Sequence, residues 1–217
     1  MGAGIAGLGF EQLVFGGLTK VFAGIIIAPI GGMIFGIALA GAIIVFLAKR
    51  KPAIVNRTFG RLQIISSAWF ALTHGANDGQ KTMGIIVLIL FSADLISEIH
   101  MPLWVIFAAA SAMGLGTFFG GYKVIKTLGV RVTRLRPYQG FAAETGGGVM
   151  LAIFALLGIP ASTTHAITGT IMGAGAARRK RAVRWKVSRQ IIFSWVITIP
   201  GAAGLGIGFT YIIHLFV

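Results

Sequence analysis

The chain has 217 residues, of which 56% are hydrophobic and only 11% are charged. A water-soluble domain carries about 25% charged residues, so this composition excludes an ordinary soluble domain. The net charge of +14 would suit a nucleic-acid-binding protein, but the bases stand in short blocks between long apolar runs. This is the positive-inside pattern of membrane proteins, and nucleic acid is not expected as a partner. The sequence has no cysteine, which excludes disulfides and thiolate metal sites.

The N-terminal segment, residues 1–58, is expected to contain one transmembrane helix. Met1 to Gly9 is glycine-rich, uncharged and without the basic start of a signal peptide, so we expect it to continue an earlier segment. Val21 to Ala48 exceeds the ~20 residues that cross a bilayer, and Pro29 predicts a kink within it. The bases that begin at Lys49 place the following loop in the cytoplasm.

The next apolar block, Phe59 to Phe91, has a polar motif in its middle. The motif runs from His74 to Lys81 and contains Asn77 and Asp78 between glycines. Inserting a carboxylate at the bilayer centre costs roughly 2.5–3.5 kcal/mol, and such a residue usually lines a polar path for ions or substrate. The glycines predict a helix that is broken at this depth, where free backbone groups bind ions or substrate.

The third block is expected to cross back. Ser92 to Met101 carries acids but no Lys or Arg, which predicts an external loop, and Asp94 lies in it. Pro102 to Gly120 is apolar and rich in small residues, which favour close helix packing. Five bases follow between residues 123 and 136, so this second basic segment is again predicted to be cytoplasmic.

The block from Tyr138 to Ala177 lies between two basic loops and must therefore enter and leave through one face of the membrane. Pro160 to His165 in its middle is typical of a helix end followed by a helix start. The second arm, Ala166 to Ala177, is too short to span. These features predict a re-entrant helical hairpin, with two full crossings as the alternative. Ile191 to Val217 predicts the last span.

Two polar interruptions thus lie at membrane depth, at Asn77–Asp78 and at Ser162–Thr164. Asn, Asp, Ser and Thr are preferred helix N-caps, so two positive helix ends are expected to converge there. Such ends favour an anion such as phosphate or sulfate. The neighbouring side-chain oxygens suit a small hard cation. The pairing indicates an ion-coupled anion symporter.

Four further residues near these motifs are candidates for a role. Glu144 is a candidate cation ligand or proton carrier, or else an acid that reaches water near the basic loop. His74 and His165 are candidate proton relays, or else histidines that bond a backbone carbonyl. Lys81 either neutralises Asp78 or contacts the substrate.

The motifs His74–Lys81 and Pro160–His165 resemble the paired signatures of the PiT family of inorganic phosphate transporters, in particular its prokaryotic branch. The resemblance covers the chain from Val21 onward. It implies a substrate site and a coupling-cation site for Na⁺ or H⁺, and some family members carry sulfate. The site residues that the resemblance implies are Asn77, Asp78, Ser162, Thr163 and Thr164, with Glu144 matching a family acid on the hairpin. Together with the candidates above, the predicted substrate residues are Asn77, Asp78, Ser162, Thr163, Thr164 and Lys81; the predicted coupling residues are Asn77, Asp78, Glu144, His74 and His165; and the predicted metal ligands are Asn77, Asp78 and Glu144.

Members of that family carry each motif twice, in two inverted repeats, whereas each occurs once here. The chain therefore resembles a C-terminal repeat, residues 59–217, preceded by the segment 1–58. The predicted fold is an all-α polytopic membrane bundle, one inverted-repeat half with a broken helix and a re-entrant hairpin. A complementary N-terminal half and an oligomer are the implied protein partners.

The predicted function is symport of inorganic phosphate, free or as a metal–phosphate complex, across the inner (cytoplasmic) membrane. No enzyme activity and no cofactor other than the coupling cation are expected. The alternatives are a sulfate permease and a membrane assembly subunit that does not transport. An intramembrane hydrolase using Ser162 or Thr163 with His165 is disfavoured, because neighbours on one helix start rarely align as nucleophile and base.

Single cysteines at Asp94 and Arg131 test the predicted topology. We expect a membrane-impermeant maleimide to label Asp94→Cys but not Arg131→Cys in intact cells, because basic loops are retained in the cytoplasm. The chain has no cysteine of its own, so the maleimide can label only the introduced cysteine. Equal labelling of the two positions would rule the topology out.

Overall fold

The computed structural model describes residues 2–9, 11 and 14–215, and the regular structure among them is entirely helical. This confirms the all-α prediction. The last two residues of the predicted final span, 216 and 217, lie outside the described residues. The α-helices are α1 (Gly2–Leu8), α2 (Phe15–Phe46), α3 (Pro52–Ser92), α4 (Leu103–Lys126), α5 (Pro137–Leu156), α6 (Thr163–Arg178) and α7 (Trp185–His214), with a π-helical segment at Thr127–Val132 and a 3₁₀ turn at Lys180–Ala182.

Four helical segments are long and apolar enough to cross a membrane: α2, α4 with its π-helical extension, α5 and α7. Helix α2 continues through Pro29 without interruption. Helix α3 is not among the four although it has 41 residues. Its apolar residues are separated by the polar motif around Asp78 and preceded by bases, which lowers the hydropathy of any stretch that includes them.

The structure corrects the prediction of a broken helix, because α3 is continuous from Pro52 to Ser92. The polar side chains of the motif bond to the helix itself. The Asn77 amide donates to the Thr73 carbonyl at 2.9 Å, as a helix-interior side chain does, and caps no new helix. The glycines of the motif are tolerated within α3, since packing overrides their low helix propensity. The predicted boundary between residues 58 and 59 also falls inside this helix.

Helices α5 and α6 form the predicted hairpin, with residues 157–162 as its tip. Gly158 at the tip has φ +61°, a conformation that favours glycine and lets the chain turn directly after α5. Helix α6 has 16 residues and is therefore about 24 Å long, which is shorter than the ~30 Å of a bilayer core. These lengths fit a re-entrant hairpin better than two full crossings, although the depth of its tip in the membrane stays a prediction.

Helices α2 and α6 approach each other so closely that their contact requires glycine. A Cβ added at Gly32 of α2 would lie 2.5 Å from the carbonyl oxygen of Ala166 in α6. The same kind of backbone contact occurs at Gly36 in α2 and at Gly169 and Gly173 in α6. Small residues at such an interface allow two membrane helices to pack backbone against backbone. Helix α2 therefore supports the hairpin along its second arm.

The three basic segments lie together at one end of the molecule. The amide of Arg184 donates to the carbonyl of Val132 at 2.8 Å, which joins the third segment to the second. Arg50 and Arg136 line one small cavity, which joins the first segment to the second. This arrangement agrees with the predicted placement of all three segments on one side of the membrane.

The α2–α6 contact can be tested with two matched substitutions in α2. We expect Gly36→Ala to lower the stability by about 1–3 kcal/mol, because the new methyl group would overlap the backbone of α6. Gly41→Ala is the control: its Cβ would meet open space, and alanine favours the helix. Thermal unfolding in detergent measures both, and equal midpoints would contradict the close contact.

Candidate functional site

The carboxylate of Asp78 joins the polar motif of α3 to the start of α6. The Thr163 hydroxyl donates to Asp78 Oδ2 at 2.8 Å, and Lys81 Nζ lies 3.0 Å from Asp78 Oδ1. His74 Nδ1 lies 3.6 Å from Oδ2, which is too long for a hydrogen bond but close enough for an electrostatic contact. The structure thus brings together four of the predicted site residues.

Lys81 also reaches the hairpin tip. Its ammonium group donates to the carbonyl oxygen of Ala161 at 2.7 Å. This carbonyl precedes the first turn of α6 and is available because α6 begins only at Thr163. The contact connects α3 to the hairpin between residues that are 80 positions apart in the sequence. The Ala161 carbonyl is a site component that side-chain chemistry alone does not reveal.

The start of α6 agrees with the sequence prediction. Ser162 is the N-cap residue, and its hydroxyl accepts the backbone N–H of His165 at 3.4 Å. The amides of Thr163 and Thr164 belong to the first turn, where a helix supplies no acceptor of its own. The partial positive charge of this helix start lies beside Asp78 and stabilises its carboxylate.

The two converging helix starts expected from the sequence are reduced to one. Because α3 is continuous through Asp78, only α6 begins at this site. Asn77 likewise bonds within its own helix, to the Thr73 carbonyl. An anion at this site would therefore meet one helix start, the hydroxyl groups of Ser162 and Thr164 and the Lys81 ammonium, since the Thr163 hydroxyl donates its proton to Asp78.

Glu144 in α5 belongs to a second polar place. It accepts hydrogen bonds from the Ser66 hydroxyl at 2.6 Å and from the Gln63 amide at 3.3 Å. Ser66 precedes Asp78 by twelve residues on α3, a separation of roughly 18 Å along the helix. The structure therefore does not bring Glu144 to Asn77 and Asp78. Gln63 and Ser66 were missed in the sequence, where their only signal is two polar residues three apart on one helix face.

The metal prediction for Asn77, Asp78 and Glu144 accordingly concerns two separate places. Residues 2–9, 11 and 14–215 contain no group of three or more His, Cys, Asp or Glu side chains that could hold a metal ion. Asp78 and Glu144 instead have hydroxyl and amide neighbours, which leave oxygen ligands for a monovalent cation.

His165 packs against α7 and does not face Ser162. Its ring lies 3.8 Å from that of Trp195, measured between centroids, and the residue is buried. Nδ1 has no hydrogen-bond partner within the described part of the chain. The Thr163 hydroxyl donates to Asp78 instead. The nucleophile–base pair that a hydrolase would need is not formed by these side chains.

A cavity of about 1050 Å³ connects the two polar places. It lies between α3, α4, α5 and α6, and most of its wall is apolar. Its polar lining includes Gln63, His74, Glu144, Thr163 and Thr164. Thr164, whose side chain has no hydrogen bond to Asp78, thus lines this cavity. A small polar solute in this cavity could contact either the α6 start or Glu144.

Comparison with known proteins extends these observations. The family model described as "Phosphate transporter family" matches residues 47–206. A "probable low-affinity inorganic phosphate transporter" of Rhizobium meliloti (strain 1021) is 45% identical over 204 residues, which cover 94% of this chain and 61% of that protein. A protein of the same description from Bacillus subtilis (strain 168) is 39% identical over 206 residues, covering 94% and 62% respectively. The chain thus spans about three fifths of the length of these relatives.

The fold is also found in a solved structure, described as "The sodium-dependent phosphate transporter". The TM-score is 0.84 at 20% sequence identity, and the match covers 100% of this chain and 72% of that one. At this identity the likeness shows the fold alone. The family and the four apolar helical segments together make the chain a multi-pass membrane protein. The resemblance carried by the two motifs is confirmed, and the chain belongs to the phosphate transporter family.

Proposed function

We propose that this chain forms part of a secondary transporter that carries inorganic phosphate across the cytoplasmic membrane by symport with a cation. The observation that carries the proposal is the hydrogen bond from Thr163 to Asp78, which joins the two motifs across 85 residues of sequence. The descriptions of the relatives as inorganic phosphate transporters support the choice of substrate. Sulfate has the same shape, and its competition with phosphate is a direct test of the alternative.

Phosphate binds at the first turn of α6 in this proposal. Free backbone N–H groups at a helix start and hydroxyl donors suit a tetrahedral oxyanion. The residues proposed to contact it are Asn77, Lys81, Ser162, Thr163 and Thr164. Asp78 lies at the same place, and two negative groups repel each other unless a cation lies between them. The Lys81 ammonium, 3.0 Å from Asp78, supplies one positive charge here, and a coupling cation would supply another for the phosphate.

Two places on the chain offer ligands for the coupling cation. One is Asp78 with Asn77, and the other is Glu144 with the Ser66 hydroxyl oxygen. His74 and His165, which are end residues of the two motifs, are candidate proton carriers for an H⁺-coupled cycle. Binding and release of phosphate by alternating access involve no covalent step, so the proposal requires neither enzyme activity nor a further cofactor.

We further propose that the chain corresponds to the C-terminal repeat and that a complementary set of helices covers its open side. None of the apolar stretch of α7 is buried within the chain. Phe118 and Phe119 of α4 are 81% and 79% exposed. Faces of this kind require lipid or further helices. The cavity next to Glu144 would then become enclosed between the two halves.

Asp78→Asn tests the proposed site in the assembled transporter. We expect coupled phosphate uptake to fall about tenfold or more, since hydrogen bonds to a charged group contribute about 1.5–3 kcal/mol. Expression should change little, because the substitution also removes the cost of a charge in the membrane. The matched control is Asp94→Asn in the loop after α3, for which we expect normal uptake. Normal uptake by Asp78→Asn would show that Asp78 is structural.

The chain by itself is predicted not to transport. In proteoliposomes we expect no phosphate uptake by the purified chain, and recovery when an N-terminal half from a PiT-type protein is co-expressed. An antiparallel pair of identical chains is disfavoured, because the bases fix one orientation at about 1 kcal/mol each near the negative inner surface. Robust uptake by the chain alone would point instead to a self-sufficient dimer.

A further inference from the structure

We propose that the ammonium group of Lys81 permanently occupies the place that a coupling cation would take beside Asp78. The inference rests on the proposed function only in assigning Asp78 to the transport site. It predicts that no Na⁺ binds at Asp78 while Lys81 is present. It also assigns the mobile coupling ion to a different place on the chain.

The ligands of the ammonium group are those of a bound sodium ion. Lys81 Nζ lies 3.0 Å from a carboxylate oxygen of Asp78 and 2.7 Å from the backbone carbonyl oxygen of Ala161. Backbone carbonyls outside regular helix coordinate Na⁺ in transporters with discontinuous helices, and the Asp78 carboxylate adds a charged oxygen ligand. The carbonyl comes from the hairpin tip and the carboxylate from α3. A cation at this position therefore joins the two elements.

The ammonium group is fixed there by the chain itself. Lys81 and Asp78 lie three residues apart on the continuous helix α3, where their side chains share one face. Side-chain exposures of 45% for Lys81 and 32% for Asp78 show a site that is only partly screened by solvent. A second cation at the same oxygen atoms would be repelled by the ammonium charge. Unlike a free ion, this charge cannot leave with the substrate.

Glu144 then becomes the place for the mobile ion. The one ion pair between a lysine or arginine and an acid among the described residues joins Lys81 to Asp78, so no described lysine or arginine neutralises Glu144. The Ser66 hydroxyl adds a second oxygen ligand beside the carboxylate, and the Gln63 amide nitrogen donates to the carboxylate at 3.3 Å. Lys81 uses two of its three N–H donors on Asp78 and Ala161, which leaves one for an anion at the start of α6. One residue thus balances the charge of Asp78 and still faces the substrate.

Removing the ammonium group should allow Na⁺ to bind beside Asp78. We expect the assembled wild-type transporter to show no Asp78-dependent stabilisation when choline chloride is replaced by NaCl. Lys81→Ala should gain a Na⁺-specific rise in its thermal midpoint, and the double variant Lys81→Ala/Asp78→Asn should lose it. Lys81→Gln, which fills more of the space, is measured in parallel in case Lys81→Ala fails to fold. Lys123→Ala removes the same charge near the end of α4 and should behave as wild type.

Phosphate uptake gives an independent readout. We expect the ratio of uptake in NaCl to uptake in choline chloride to be about fivefold or more higher in Lys81→Ala than in the wild type, a typical coupling between two sites. Equal loss of uptake in both salts without a Na⁺-specific thermal shift would overturn the inference and make Lys81 a direct substrate contact. An Asp78-dependent Na⁺ shift in the wild type would overturn it as well. Absence of uptake by the wild type would count against the proposed function, while the thermal shifts would still decide the role of Lys81.

Discussion

The site depends on holding one carboxylate within an apolar bundle. A charge at membrane depth costs roughly 2.5–3.5 kcal/mol, and each hydrogen bond to a charged group returns about 1.5–3 kcal/mol. Asp78 receives two such bonds, from Thr163 and Lys81, and lies beside the positive start of α6. The bond from Lys81 forms within α3, whereas the bond from Thr163 and the helix start of α6 reach Asp78 only when the hairpin tip is docked on α3.

Glycine residues allow the hairpin to pack closely against α2, on the side away from Asp78. The hairpin touches α2 through backbone atoms at Gly32 and Gly173, and side chains there would push α6 away. On α5, a Cβ at Gly148 would overlap the Trp69 ring of α3. The small residues thus set the distance at which the Thr163 hydroxyl reaches Asp78. A polar contact about 3 Å long is maintained by apolar packing on both faces of the hairpin.

Local chemistry explains which parts could be predicted from the sequence. Ser162 as an N-cap follows from the preference of a hydroxyl for unpaired helix amides, and the distribution of the basic blocks predicts that they gather at one end of the molecule. The continuity of α3 through Asp78 could not be predicted, because glycine next to polar residues is equally compatible with a break. The role of Ser66 and Gln63 could not be predicted either, because they contact the Glu144 carboxylate only when α5 packs on α3.

The length of α3 has a consequence for the membrane around the protein. A continuous helix of 41 residues measures about 60 Å, twice the thickness of a bilayer core. Such a helix must tilt or project, and its first turns, with Arg57 and Arg61, then lie in the headgroup region or beyond it. Because Arg57, Arg61 and Asp78 lie on this one continuous helix, any change in its tilt moves the headgroup end and the site together.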